Sequence, residues 1–144
     1  MKTIWITGGS SGIGFATAKE FLLNGWQVVI SSSNKAKLEN AKNRLIDQKN
    51  AGSLHILPCD ISKIKDVNDT IDYIETKLGK INIALLNASA YSPNKDQIFD
   101  INNYELLVDV NIKGTLFCIN RLKDYMSGRK DTIAIISSPL GYRG

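Results

Sequence analysis

The sequence holds few of the residues on which metal and thiol chemistry depend. Of 144 residues, two are cysteine and one is histidine. Cys59 and Cys118 stand alone, so they make neither a disulfide framework nor a metal-binding spacing. His55 by itself leaves too few soft ligands for zinc, so no metal site is expected. A Ser-His-Asp triad would have to use that one histidine. Long apolar runs are lacking too. The apolar start Met1–Ile6 is stopped by Thr7, Gly8 and Gly9, far short of the ~20 residues a spanning helix needs. The basic start and apolar core of a signal peptide are absent. A cytoplasmic protein with no membrane partner is the expectation. Charge of one sign is in small excess, 18 Lys and Arg against 14 Asp and Glu, for a net +4. That argues against a nucleic-acid partner and leaves a mild attraction for anionic ligands, nucleotides included. Repeats, charge blocks and Gly/Ser linkers are also missing.

What remains reads as one globular domain over residues 1–144. Hydrophobic residues are 43% and charged residues 22%, close to the globular average. A chain of this length buries about 68–70% of its unfolded surface, enough for one core.

Short apolar runs alternate with helical patterns. Thr3–Thr7 reads as a first strand, with Ile4, Trp5 and Ile6 in succession, as in parallel strands covered on both faces. Ile13–Asn24 carries i,i+4 rows of a helix, and Gly25 stands where a glycine would end it. Val28–Ser31 is the second strand, Lys35–Gln48 a basic helix and Leu54–Cys59 the third strand. Ile64, Val67, Ile71, Ile74 and Leu78 mark a helix, with Ser62 as its expected cap. Ile81–Leu86 is the fourth strand. Ser89–Ile101 reads as a loop through the Ser92-Pro93-Asn94 turn. Asn103–Met126 forms a long helix, and Thr132–Ser137 the fifth strand. This alternation implies right-handed βαβ units and an α/β, Rossmann-like, doubly wound parallel sheet. Ligands of such sheets bind beyond the carboxyl ends of the strands, at the switch point.

Just there, after the first strand, lies Thr7-Gly8-Gly9-Ser10-Ser11-Gly12-Ile13-Gly14. Gly8, Gly12 and Gly14 allow a tight turn and close backbone approach, and free N–H groups at the following helix start suit phosphates. Ser10 and Ser11 add hydroxyl donors. Asp60 follows the third strand, either as a hydrogen-bond acceptor or as an acid placed for a helix dipole. Asn111 sits on an otherwise apolar helix face, where an unpaired amide costs roughly 1–3 kcal/mol. It is expected either to serve the site or to be a satisfied buried amide. His55 reads as a strand histidine away from the cleft, and the basic helix as a solvated face.

The pattern T-G-x-x-x-G-x-G resembles the short-chain dehydrogenase/reductase family, in its small single-domain subgroup. Four further stations match in order: Cys59-Asp60-Ile61, Leu86-Asn87-Ala88-Ser89, Asn111 with Gly114, and Ile136-Ser137-Ser138-Pro139-Leu140-Gly141. The resemblance spans the chain. It implies an NAD(P)-dependent oxidoreductase that moves hydride between nicotinamide and a small carbonyl or alcohol. It implies cofactor contacts along Gly8–Gly14 (Ile13 included), from Asp60 and Ile61 to adenine, and from Asn87 and Ala88 near the ribose. It also implies that Ser138 orients the substrate carbonyl and that Asn111 holds a water on a relay to a lysine. Ser89 stands where the family has glycine.

The second strand ends Ser31-Ser32-Ser33-Asn34, without the acid that repels a 2′-phosphate. NADP is therefore favoured over NAD, with Ser33 and Asn34 as donors and Lys35 or Lys37 nearby. The Tyr-x-x-x-Lys pair that the family places beyond the fifth strand does not follow Ser138. The chain thus reads as the amino-terminal part of such an enzyme, without the later strands and expected to lack turnover by itself; the alternative is a nucleotide-binding or interaction module. Family members form dimers or tetramers, and an apolar fifth strand at a sheet edge predicts self-association.

Overall fold

The computed structural model describes residues 1–46, 52–91 and 100–138. Five strands form one parallel sheet in the order β3-β2-β1-β4-β5: β1 (Thr3–Thr7), β2 (Gln27–Ser32), β3 (Ser53–Pro58), β4 (Ile81–Leu86) and β5 (Thr132–Ile135). This is the expected doubly wound parallel sheet, with the switch between β1 and β4. Alternation along each strand divides the core into two layers. Ile4 and Ile6 pack with Val28, Ile30 and the inner faces of α1 (Gly12–Leu23) and α2 (Lys35–Ile46). Trp5, Val29 and Ala84 face α3 (Ile64–Tyr73) and α5 (Thr115–Met126).

Chain termini of the helices show how local sequence sets the turns. Gly25 adopts φ +77. Its amide donates to Leu22 O at 3.1 Å and that of Trp26 to Phe21 O at 3.0 Å. The Phe21 and Trp26 rings meet edge-on at 4.9 Å. Those two bonds and the ring contact make a Schellman stop. Ser62 does not cap α3. Lys63 holds the cap position without a side-chain bond, because the Ser62 hydroxyl instead donates to Asp60 Oδ1 at 2.7 Å.

The long helix departs most from its pattern. It begins as α4 (Ile101–Leu107), two residues before expected, because Asp100 Oδ1 accepts from the Asn102 amide at 3.0 Å. A π-helical segment, Val108–Gly114, then joins α4 to α5. Another π turn, Ile74–Leu78, extends α3. Tyr104 and Asn111 are exposed rather than part of an apolar seam, and Ile64 is exposed on α3. Strand five is shorter than expected. Its ladder ends at Leu86↔Ile135, with one more bond from the Ile136 amide to Leu86 O. The end of the basic helix at residues 47–48, the Ser92-Pro93-Asn94 turn and Pro139 onward lie outside the described residues. No helix among those described is long and apolar enough to cross a membrane.

Candidate functional site

A cleft of about 840 Å³ opens beyond the carboxyl ends of the strands, within the range of small-molecule sites. Every site residue expected from the sequence lines it except Gly14. His55 does not line it.

The glycine loop builds one wall. Gly8 and Gly12 take φ +66 and +54, a region that favours glycine. A Cβ on Gly8 would lie 2.8 Å from Ala88 Cα, whereas one on Gly12 would meet nothing within 4 Å. Gly12 therefore presents bare backbone to the cleft. Gly14 packs against the loop: its Cβ would lie 2.6 Å from Gly8 O and 2.7 Å from Asn87 Nδ2. Gly9 likewise packs, on Ile30. Ser11 is the extended cap of α1 but makes no side-chain bond to it. The first amides of a helix have no intrahelical acceptor, so this end keeps donors for an anion.

Thr7 and Asn87 join the two strands at the switch point. The buried Thr7 hydroxyl accepts from the amides of Asn87 at 2.9 Å and Ala88 at 3.0 Å. Asn87 Nδ2 donates to Thr7 O and Gly8 O, each at 3.2 Å. Thr7 heads the glycine pattern, which by itself marks no role for its side chain. A buried threonine at a strand end gives no linear signal of the two amides it receives from 80 residues away.

The β2 end forms the next wall. The Gly9 amide donates to Ser31 O at 3.1 Å, and Ser10 Oγ to Ser32 Oγ at 3.3 Å. Asn34 Oδ1 accepts from the Lys37 amide at 2.9 Å, so Asn34 caps α2. Lys37 itself lines the cleft. At the β3 end, Asp60 Oδ1 accepts from the Ser62 amide at 3.1 Å as well as from its hydroxyl, and Lys63 Nζ stands 3.5 Å from Oδ2. Partial burial would raise the Asp60 carboxyl, but the Ser62 bonds and Lys63 outweigh it and hold it below the ordinary value. Asp60 thus stays an ionised acceptor. Burial pushes the neighbouring Cys59 thiol up to about 11, which removes it as a nucleophile at neutral pH.

Asn111 lies in the π segment, on its exposed side. Its carboxamide donates to Ala90 O at 2.9 Å and accepts from the Ala90 amide at 2.8 Å. This pair holds the loop after β4 against the helix. Gly114, one turn on, lets the same helix approach the β3 loop, since a Cβ there would lie 2.8 Å from Ile61 Cγ1. Ser138 is exposed on the far wall, just beyond β5. Tyr73 and Lys77 have the Tyr-x-x-x-Lys spacing, but neither lines the cleft. Tyr91 and Lys95 share it across Pro93, with Pro93 and Lys95 outside the described residues. Among the described residues no three metal-ligating side chains gather.

Residues 2–144 match the family model described as short chain dehydrogenase. The chain is 31% identical over 140 residues to an uncharacterized oxidoreductase of Staphylococcus aureus (strain MRSA252), covering 94% of this chain and 59% of that one. The chain therefore spans about three-fifths of the length of the curated relatives it matches. A crystal structure of a short chain dehydrogenase from Bacillus anthracis superposes with a TM-score of 0.86 at 28% identity, over 99% of this chain and 57% of that one. A 3-ketoacyl-(acyl-carrier-protein) reductase from Brucella melitensis, solved with NADH, gives 0.81 at 28% identity, over 95% and 57%.

Proposed function

The chain belongs to the short chain dehydrogenase family, and from that premise we propose that its cleft holds a nicotinamide dinucleotide for hydride transfer to or from a small carbonyl or alcohol. One observation carries this reading: bare backbone at Gly12, open to the cleft, leads into a helix start whose cap residue leaves it uncapped. A diphosphate fits there, because the loop offers amide donors and no side chain in the way. When bound, the nicotinamide supplies or accepts the hydride.

The chain's own residues bind and orient. Gly8–Ile13 receive the diphosphate, and the ionised Asp60 accepts from the adenine amino group, with Ile61 beside it. Asn87 and Ala88 line the ribose region. Ser138 orients the substrate oxygen through its hydroxyl. Asn111 acts as a positioning residue through Ala90, and its second amide hydrogen is left for a water. NADP is preferred to NAD, because no acid ends β2 and Ser33, Asn34 and Lys37 surround that corner. Calorimetric titration with NADPH and NADH tests both points. Tighter NADPH binding is expected, and Lys37→Glu reverses the order. Equal affinity of the parent for both, or a tenfold preference for NADH, overturns the NADP assignment.

A second reading applies to these 144 residues alone: dinucleotide binding without turnover. It is favoured by the placement of Tyr73 and Lys77, which have the Tyr-x-x-x-Lys spacing but do not line the cleft. Neither Ser138 nor Asn111 supplies the proton, and general acid catalysis is typically worth about 10²–10⁴-fold. Carbonyl-dependent NADPH oxidation by the 144-residue chain is expected at background, and a rate of about 1 s⁻¹ or more overturns it.

A further inference from the structure

Gly114 stands inside a helix whose backbone does not call for glycine. Its φ and ψ are −59 and −44, values that any residue adopts. Glycine is a poor helix former and alanine the best, so helix geometry alone would favour a side chain here. What excludes one is the turn after β3. A Cβ on Gly114 would lie 2.8 Å from Ile61 Cγ1, 2.9 Å from Ile61 Cδ1 and 3.0 Å from Ile61 O, whereas carbon atoms pack at about 3.5–4.0 Å. Gly114 is buried and Ile61 is 6% exposed, so the contact has no solvent to relax into.

Ile61 does not move alone. The Lys63 amide donates to Asp60 O at 3.0 Å, and Asp60 Oδ1 accepts from the Ser62 amide and hydroxyl, which closes the turn around Ile61. The Asp60 amide donates to Asp66 Oδ2 at 3.3 Å and ties the turn to α3. A push on Ile61 therefore reaches Asp60, which lines the cleft. Asn111, in the same π segment as Gly114, holds Ala90 of the loop after β4. One segment thus rests against the β3 turn and grips the β4 loop.

We propose that Gly114 is a positioning residue for the nucleoside end of the cleft: having no side chain, it lets the π segment seat the Asp60–Ser62 turn where the Asp60 carboxylate meets an adenine amino group. The assignment rests on the dinucleotide reading of the cleft. Gly114 does not itself line the cleft; it acts through Ile61 and Asp60.

Titration with ADP and with inorganic pyrophosphate tests this, because the two share the glycine loop and differ in the nucleoside. Gly114→Ala is expected to weaken ADP about three- to tenfold, the worth of one hydrogen bond, and to leave pyrophosphate unchanged. Ile61→Ala removes Cγ1 and Cδ1 and leaves the turn without its support, so it weakens ADP as well. In that background the sign reverses. The methyl of Gly114→Ala fills part of the gap, and the double variant binds ADP more tightly than Ile61→Ala alone. A merely structural glycine would change thermal stability without separating ADP from pyrophosphate. Parent-like ADP binding by Gly114→Ala, or equal losses for both ligands, overturns the assignment. A double variant that binds ADP no better than Ile61→Ala overturns it too. If Gly114→Ala does not fold in the parent, the comparison in the Ile61→Ala background decides. A parent chain that binds neither ADP nor NADPH fails at the dinucleotide reading, and the Gly114 assignment falls with it.

Discussion

Gly12→Ala and Gly14→Ala separate two demands placed on one loop. At Gly14 the new methyl meets Gly8 O at 2.6 Å, and rigid backbone cannot yield, so a loss of about 1–3 kcal/mol is expected. At Gly12 the methyl meets nothing within 4 Å and the cost comes from the positive φ, about 1–2 kcal/mol. Urea unfolding measures both losses. Nucleotide titration then distinguishes the two sites, because only the Gly12 methyl projects into the cleft and should abolish NADPH binding beyond its effect on stability. Asp60 adds a pH dependence at the same scale. Its folded carboxyl titrates below the ordinary value, so its contribution to stability is present above about pH 4. It is lost as pH falls through the lower folded midpoint. Asp60→Asn should therefore be less stable than the parent near neutrality, and the gap should close on acidification. A gap that widens in acid contradicts the assignment.

At the scale of elements, a polar network fastens the end of the sheet opposite the cleft. The Arg129 guanidinium donates to both Glu75 oxygens, at 3.0 and 3.3 Å, to Ile81 O at 2.8 Å, and to Asp131. Glu75 Oε1 also accepts from the Ile81 amide at 2.9 Å, and Asn82 Nδ2 donates to Asp131 Oδ1 at 3.1 Å. The network joins the π turn after α3, the start of β4 and the approach to β5. Its acids are nearly buried, at 4% for Glu75 and 7% for Asp131. Removing Glu75 leaves Arg129 with Asp131 and takes the side-chain acceptor from the Ile81 amide, so Glu75→Ala is expected to cost about 1–3 kcal/mol. Denaturant titration checks this. A loss below about 1 kcal/mol would mean that water replaces the carboxylate at no cost.

At the scale of the whole molecule, the described surface leaves β5 as an edge and a helix face apolar. Ile135 is 52% exposed on that edge, and Ile112 and Leu116 are 56% and 58% exposed along the helix. An uncharged edge strand pairs readily with another chain, and contiguous apolar surface favours association. The 144-residue chain is expected to sediment as dimers or larger species whose weight rises with concentration. A single monomeric boundary from micromolar to hundred-micromolar protein overturns this.

Much of this protein was legible before folding. Three consecutive apolar residues at Ile4–Ile6, the glycine spacing after Thr7 and the 3,4 spacing from Val67 to Ile74 are local signals. Local backbone geometry reads them in the same way in any chain, so they mark strands and helices, whose alternation implies a doubly wound parallel sheet. The position of the cleft follows, because a doubly wound sheet has one switch point. Other features depended on approach between distant segments. Gly14 is a packing glycine only because Gly8 and Asn87 lie against it. Asn111 is exposed because a π segment turns it toward Ala90, a partner 21 residues away. Ser62 looks like a cap until Asp60 takes its hydroxyl. Trp5 reads as one more apolar core residue until Ser31 Oγ is found accepting from its N–H at 2.9 Å. Hydrophobic pattern is a property of neighbours in the chain, whereas the pairing of a buried donor with its acceptor is settled only by tertiary structure, which brings the two together.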